Sequence, residues 1–277
     1  MQRRTIEVHG AMVLWNIAAE SDLNRSRAAF ADCGLEDFTP QQRSDSECLR
    51  AALDECKRKG QIIQRLKNPK KNGMEVVTVD RFEVHNEYTS DYNAKVVEGR
   101  VVTGYGWADN ERIQEQFDHA KRILTPSGIS GPLVSVIKER LHGLTYGRST
   151  GGVYWIEADA VPVMEDLAPL IEDAAMKGET TISVNEIGLT PRTARDLLNS
   201  LTEQVRAEAE RILTEVRKGL GVEALNAREK QAAELDGLIQ HYEPILSDSL
   251  TSLHSIAETC RQVVSMTAMQ QMAAAMA

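Results

Sequence analysis

The chain has 277 residues, 42% of them apolar and 26% charged. That is ordinary for a folded soluble protein, with enough chain for one large domain or two modest ones. The formal charge of −9 disfavours a polyanionic partner over most of the surface, and no apolar run is long enough to cross a bilayer.

The charge is uneven along the chain. Residues 1–60 balance at −1. Residues 61–156 carry 13 basic and 11 acidic groups, a balance of +2. Residues 157–277 carry 10 basic and 20 acidic groups, a balance of −10. A phosphate backbone would therefore meet the middle of the chain. The N-terminal MQRRTIEVHG lacks the apolar core of a signal peptide, and Cys33, Cys48, Cys56 and Cys260 form no C-x-x-C pair. A cytoplasmic protein with reduced thiols is expected.

In chain order, TIEVHGAMVLWNIA (5–18) reads as an opening strand or a buried helix. SDLNRSRAAFADCGL reads as a helix capped by Ser21 or Asp22 and stopped at Gly34. A second helix is capped by Ser44 or Asp45 and ends by Gly60. From Gln61 to Trp107 valine, threonine and tyrosine dominate, which predicts three or four antiparallel strands with a turn at Asn72-Gly73. DNERIQEQFDHAKRIL is a helix with Ile113, Phe117, Ala120 and Leu124 on its buried stripe. TPSGISGP reads as a loop, PLVSVIKERLHGL as a short helix, and GRSTGGVYWI as a turn into a strand. VPVMEDLAPLIEDAAMKG is a helix and ETTISVNEIGL a strand.

The remainder is helical. Thr190 caps and Pro191 fills the first helical position. Leu198, Leu201, Val205, Ala209, Ile212 and Val216 recur at helical spacing until Gly219. A second helix starts near Asn226 and carries Leu235, Ile239, Tyr242, Leu246, Leu253, Ile256, Cys260 and Val263, with a bend at Pro244. The two predict an antiparallel hairpin about 42 Å and about 60 Å long. The surplus of the longer helix must pack elsewhere, on this chain or on another copy. The tail MTAMQQMAAAMA reads as a frayed terminus.

Familiar chemistry is missing. GRSTGG has no lysine for a phosphate-binding loop, and GYGWAD lacks the third glycine of a dinucleotide fingerprint. His85-Asn86-Glu87 has no P-C-x-x-C partner for a zinc deaminase. The carboxylates of the C-terminal helices alternate with Arg206, Arg211, Arg217 and Lys218, as on a solvated face. No catalytic residue, metal site or cofactor is expected.

Three stretches carry a family likeness: HGAMVLWNIAAESDLNRSRAAFADCGL, TPQQRSDSECLRAAL and GRSTGGVYWI. Through them the chain resembles an uncharacterised family of bacterial, archaeal and phage proteins known only as a domain of unknown function. The third stretch is similar to that family's R-P-S/T-G-G-V-Y-F/W-V-P, with Ser149 in place of the proline and Glu157 in place of the last residue. The resemblance implies no activity and no site residues.

The expected architecture is α+β. It has a small antiparallel sheet with flanking helices, a winged-helix-like segment at 109–156, and a long C-terminal antiparallel helical hairpin. The expected division is 1–60, a body at 61–189, the hairpin at 190–265 and a flexible tail at 266–277. The expected role is a non-enzymatic interaction or assembly protein. It would form a homo-oligomer or bind a protein partner through the helical face of Leu201, Val205, Ile212, Val216, Leu246, Leu253 and Ile256. The alternative is a nucleic-acid reader. Its basic face would hold Arg148, Lys138, Arg140, Lys121, Arg122, Lys70 and Lys71, with Tyr146, Tyr154 and Trp155 to stack on bases. No membrane partner is expected.

Overall fold

The computed structural model describes residues 9–65, 73–81, 86–104, 109–146, 152–246 and 250–276, with the side chains of 80, 81, 272 and 274–276 left aside. The predicted turn residue Asn72, and the predicted contacts Lys70, Lys71 and Arg148, lie outside the described residues.

The elements follow in chain order. β1 is Gly10–Asn16, β2 Glu20–Asp22 and α1 Leu23–Asp32. The opening segment is a strand. Asp22 caps α1 by accepting from the N–H of Arg25 at 2.8 Å. α2, Asp45–Cys56, opens with a reciprocal capping box between Ser44 and Glu47. β3 (Gln61–Arg65), β4 (Gly73–Arg81), β5 (Asn86–Val97) and β6 (Arg100–Thr103) follow. α3 (Asn110–Arg122) is capped by Asp109, and β7 is Ile123–Leu124.

α4, Pro126–Ser135, starts inside TPSGISGP, the stretch expected as a loop, and passes into a π-helical turn at Val136–Arg140. Gly128, Gly131 and Pro132 are poor helix formers. Complete burial of Ile129, Leu133, Val136 and Ile137 overrides that preference. β8 (Leu144–Thr145), β9 (Tyr154–Glu157), α5 (Val161–Asp173), β10 (Ala175–Lys177) and β11 (Thr181–Ile187) come next. Three long helices finish the chain: α6 (Pro191–Arg217), α7 (Val222–Leu246) and α8 (Thr251–Met276).

The fold is mixed α+β with small antiparallel sheets and C-terminal helices packed on one another. It separates into two compact units. The first holds residues 1–16, 133–169 and 181–277, and the second holds 17–132 and 170–180. The chain passes between them within α4 and within α5, where no change of composition marks a border. The segment 109–156 contributes residues to both units.

The first unit has a four-stranded antiparallel sheet in the order β11-β1-β9-β8. Leu144 and Trp155 of that sheet join the core of α6, α7 and α8. The C-terminal helices number three, not two. Pro244 sits in the last turn of α7, and a separate helix begins at Thr251. Leu246 and Leu253, seven residues apart, keep the same helical phase, which imitates one continuous stripe. The surplus length expected of the second helix is α8, which lies against both α6 and α7. Residues 266–276, expected as a tail, continue α8.

The second unit has a four-stranded sheet in the order β3-β4-β5-β6 and a three-stranded one in the order β10-β2-β7. α2 and α3 cover one face of the larger sheet. Its core gathers Leu49, Leu53, Met74, Val76, Tyr92, Ile113 and Phe117. Fully burying side chains of this size stabilises by about 1.5–3 kcal/mol each.

Candidate functional site

In the first unit, titratable groups converge around a strained backbone where β9 ends against α7. Tyr242 is fully buried and donates its hydroxyl to the carbonyl oxygen of His142 at 2.9 Å. Burial pushes the Tyr242 phenol far above its ordinary pKa. His142 holds φ at 51°, a left-handed conformation uncommon outside glycine. The next residue must be glycine, since a Cβ on Gly143 would stand 2.6 Å from the carbonyl oxygen of Trp155.

His241 Nε2 lies 2.7 Å from Glu157 Oε1, and its ring centroid is 4.9 Å from that of His142. The distance makes an ion pair possible, although the ring N–H is not aimed for a hydrogen bond. Burial, and then Asp159, raise the Glu157 carboxyl above its ordinary range. Burial, and then the neighbouring His241, lower the His142 imidazole. The cluster's evident work is to fix α7 to β9 and to the turn before β8. Among the described residues no group of three or more histidine, cysteine, aspartate or glutamate side chains stands together as a metal site.

The described residues of the predicted basic face fall in different units. Lys121 and Arg122 end α3 in the second unit, while Lys138 and Arg140 are exposed on the π-helical turn of the first. Lys121 is already engaged, 3.0 Å from Asp45 and 5.0 Å above the Phe117 ring. Arg122 donates to the carbonyl oxygen of Asp118. Tyr154 and Trp155 are buried in β9, and Tyr154 stacks on Trp15 with centroids 5.0 Å apart. Tyr146 donates to Asp196 at 3.2 Å. The described part of GRSTGGVYWI is thus the entry to a core strand, with Gly152 at φ 109°.

The residues of the predicted partner face lie within this chain's own packing. Leu201, Val205, Ile212, Val216, Leu246 and Leu253 are buried in the core of α6, α7 and α8, and Ile256 packs on it. They meet one another inside the chain. The exposed apolar side chains lie elsewhere. On α8, Val263, Met266 and Met269 are 38%, 61% and 66% exposed, opposite the buried stripe Leu253, Ala257, Cys260, Val264 and Ala268. Residues 262–277 contain no charged residue at all. That run is legible in the sequence, but its orientation is not.

An α+β protein of two units that alternate along the chain, one of them containing a three-helix bundle, is the class these features define. Residues 8–275 match the model of a family of unknown function, DUF6744. The chain belongs to that family, which bears out the resemblance read from its three stretches. No curated protein and no solved structure matches it. Among the described residues no helix is long and apolar enough to cross a membrane.

Proposed function

We propose that this is a non-enzymatic assembly protein that pairs with a second copy of itself through the outer face of the last turns of α8. The observation that carries this reading is the exposed Val263, Met266 and Met269 within a charge-free run. The three C-terminal helices together carry 8 basic and 11 acidic groups, and the balance of −3 falls on α7, so two copies repel one another there rather than along α8. They can approach where charge is absent. A basic partner would be drawn to the carboxylates instead. Methionine side chains adapt to one another without a fixed shape, which suits a contact between identical faces. The face is small, so the dimer is weak and concentration-dependent.

Sedimentation velocity from about 5 to about 500 µM tests this, since that range brackets weak dimers. The wild type is expected to shift toward dimer across the range, and a Met266→Glu/Met269→Glu variant to stay monomeric. A wild type that stays monomeric throughout, or a variant that dimerises equally, overturns the reading.

A further inference from the structure

The second unit contains an open groove of about 530 Å³ that no feature so far explains. Its walls are Gln41, Gln42 and Arg43 ahead of α2, the Glu47/Arg50/Asp54 face of α2, and the first turn of α4. Three observations describe its electrostatics.

First, the acidic groups are already satisfied. Glu47 Oε2 accepts from the Ser44 N–H at 2.9 Å and from the Ser44 hydroxyl at 2.7 Å. Asp54 Oδ1 accepts from Lys57 at 2.6 Å. The amides of Gln41 and Gln42 donate to the carbonyl oxygens of Thr39 and Lys121. Second, the basic groups are less so: no hydrogen bond or ion pair holds the Arg50 guanidinium among the described residues, and Arg43, whose charge is felt by Glu47 and Cys48, donates no side-chain hydrogen bond there; both line the groove. Third, Thr125, Ser127 and Gly128 bring the first turn of α4 to the same groove. That turn offers few free N–H groups, since Pro126 has none and the Gly128 N–H donates to the Thr125 carbonyl oxygen at 2.9 Å, so what it brings is the positive end of the helix dipole.

We propose that this groove binds the phosphate of a small phosphomonoester, held between the forks of Arg43 and Arg50. Each guanidinium offers a planar pair of donors that matches two oxygens of a tetrahedral anion. A phosphomonoester presents three such oxygens and up to two charges, whereas a carboxylate satisfies only one fork. The Thr125 and Ser127 hydroxyls, hydrogen-bonded to one another at 3.2 Å, leave one neutral O–H donor at the same wall. The groove volume leaves room for an organic group beyond the phosphate. A nucleic-acid backbone fits less well, because the chain is acidic overall and the groove's rim carries Glu47 and Asp54.

Isothermal titration of the full chain tests the assignment with four probes: inorganic phosphate, adenosine monophosphate, adenosine and a short single-stranded oligonucleotide. Adenosine monophosphate is expected to bind one to one, phosphate more weakly and adenosine not at all. Arg50 is exposed, so Arg50→Gln is expected to keep the ligand-free melting curve while weakening the monophosphate about tenfold or more, the loss typical of a charge-assisted hydrogen bond. Arg43→Gln should weaken it similarly, and Arg50→Lys should fall between, keeping charge without the fork. Absence of binding by phosphate and monophosphate at about 10 mM, where even millimolar affinities register, overturns the site. Unchanged affinity in Arg50→Gln overturns the residues assigned. An oligonucleotide that binds more tightly than the monophosphate, through the same arginines, overturns the ligand class.

Discussion

His254 of α8 stands between two carboxylates of α7, with Nδ1 2.9 Å from Asp236 Oδ1 and Nε2 2.8 Å from Glu243 Oε1. Both ring nitrogens can donate only when the imidazole is charged. The hydrogen bonds to Asp236 and then Glu243 accordingly raise its pKa above the ordinary value. A raised folded-state pKa stabilises the fold fully below the unfolded value of about 6.5, and that stability is lost as pH rises through the folded value. His254→Gln is therefore expected to lower the melting temperature at mildly acidic pH and to match the wild type at alkaline pH. The site is largely open to solvent, so the effect should not exceed about 1 kcal/mol. Thermal melts of both proteins across mildly acid to mildly alkaline pH check it. A gap that widens with rising pH would contradict the clamp.

His142 predicts the opposite sign. Burial and the nearby His241 lower its pKa, so protonation is easier in the unfolded chain. Stability is then lost as pH falls through about 6.5 toward the depressed folded value. The residue also bears the cost of a left-handed backbone, about 1–2 kcal/mol for a non-glycine residue. Replacing it by glycine removes both penalties but adds chain entropy to the unfolded state. His142→Gly is expected to gain stability relative to the wild type, and to gain more at acid pH than at alkaline pH. Urea denaturation at two pH values measures the difference. Equal gains at both would leave backbone strain as the whole effect.

Much of the local structure was legible. Asp22, Ser44, Asp109 and Thr190 cap helices where capping chemistry places them, and Gly219 lies just past α6 at φ 84°. Less legible was what depends on distant neighbours. Burial of Ile129 and Leu133 turns a glycine- and proline-bearing stretch into α4. The division into units rests on contacts between segments more than a hundred residues apart, such as the pairing of Gly10 with Ile187, which no local pattern announces. The groove was hidden for a similar reason. Arg43 and Arg50 are ordinary residues of an amphipathic start until Thr125 and Ser127 stand beside them. The histidine cluster likewise joins positions 142, 157 and 241.

The α6–α7 contact contains a linked ion network. Arg211 donates to Glu208, to Glu215 at 3.0 Å and to Gln231 of α7 at 3.1 Å. Arg228 of α7 reaches Glu215 Oε2 at 2.5 Å and Gln231 at 2.8 Å. Glu215 is thus shared by an arginine of each helix. Glu215→Ala is expected to cost about 1 kcal/mol, the upper range for a partly exposed pair, because it leaves both guanidiniums short of an acceptor. The loss should shrink in molar salt, which screens charges beyond about 3 Å. A double-mutant cycle with Arg228→Ala checks the coupling, and additive losses would show that the two act independently.

The bundle core and the outer α8 face make separable predictions. Leu201 and Ile212 are fully buried among the three C-terminal helices. Truncating either to alanine should cost about 2–5 kcal/mol, because the removed side chain leaves a cavity that its neighbours fill only in part. Met266 and Met269 face solvent, so their replacement by glutamate should change the monomer's stability by no more than about 0.5 kcal/mol. Oligomeric state should behave in reverse: Leu201→Ala should leave the monomer–dimer balance of the folded protein unaltered, and the double glutamate variant should abolish dimer. Urea denaturation and sedimentation on the same samples separate the two effects. If Leu201→Ala dissociated a dimer without lowering the stability of the monomer, Leu201 would belong to an interface between copies rather than to the core of one chain.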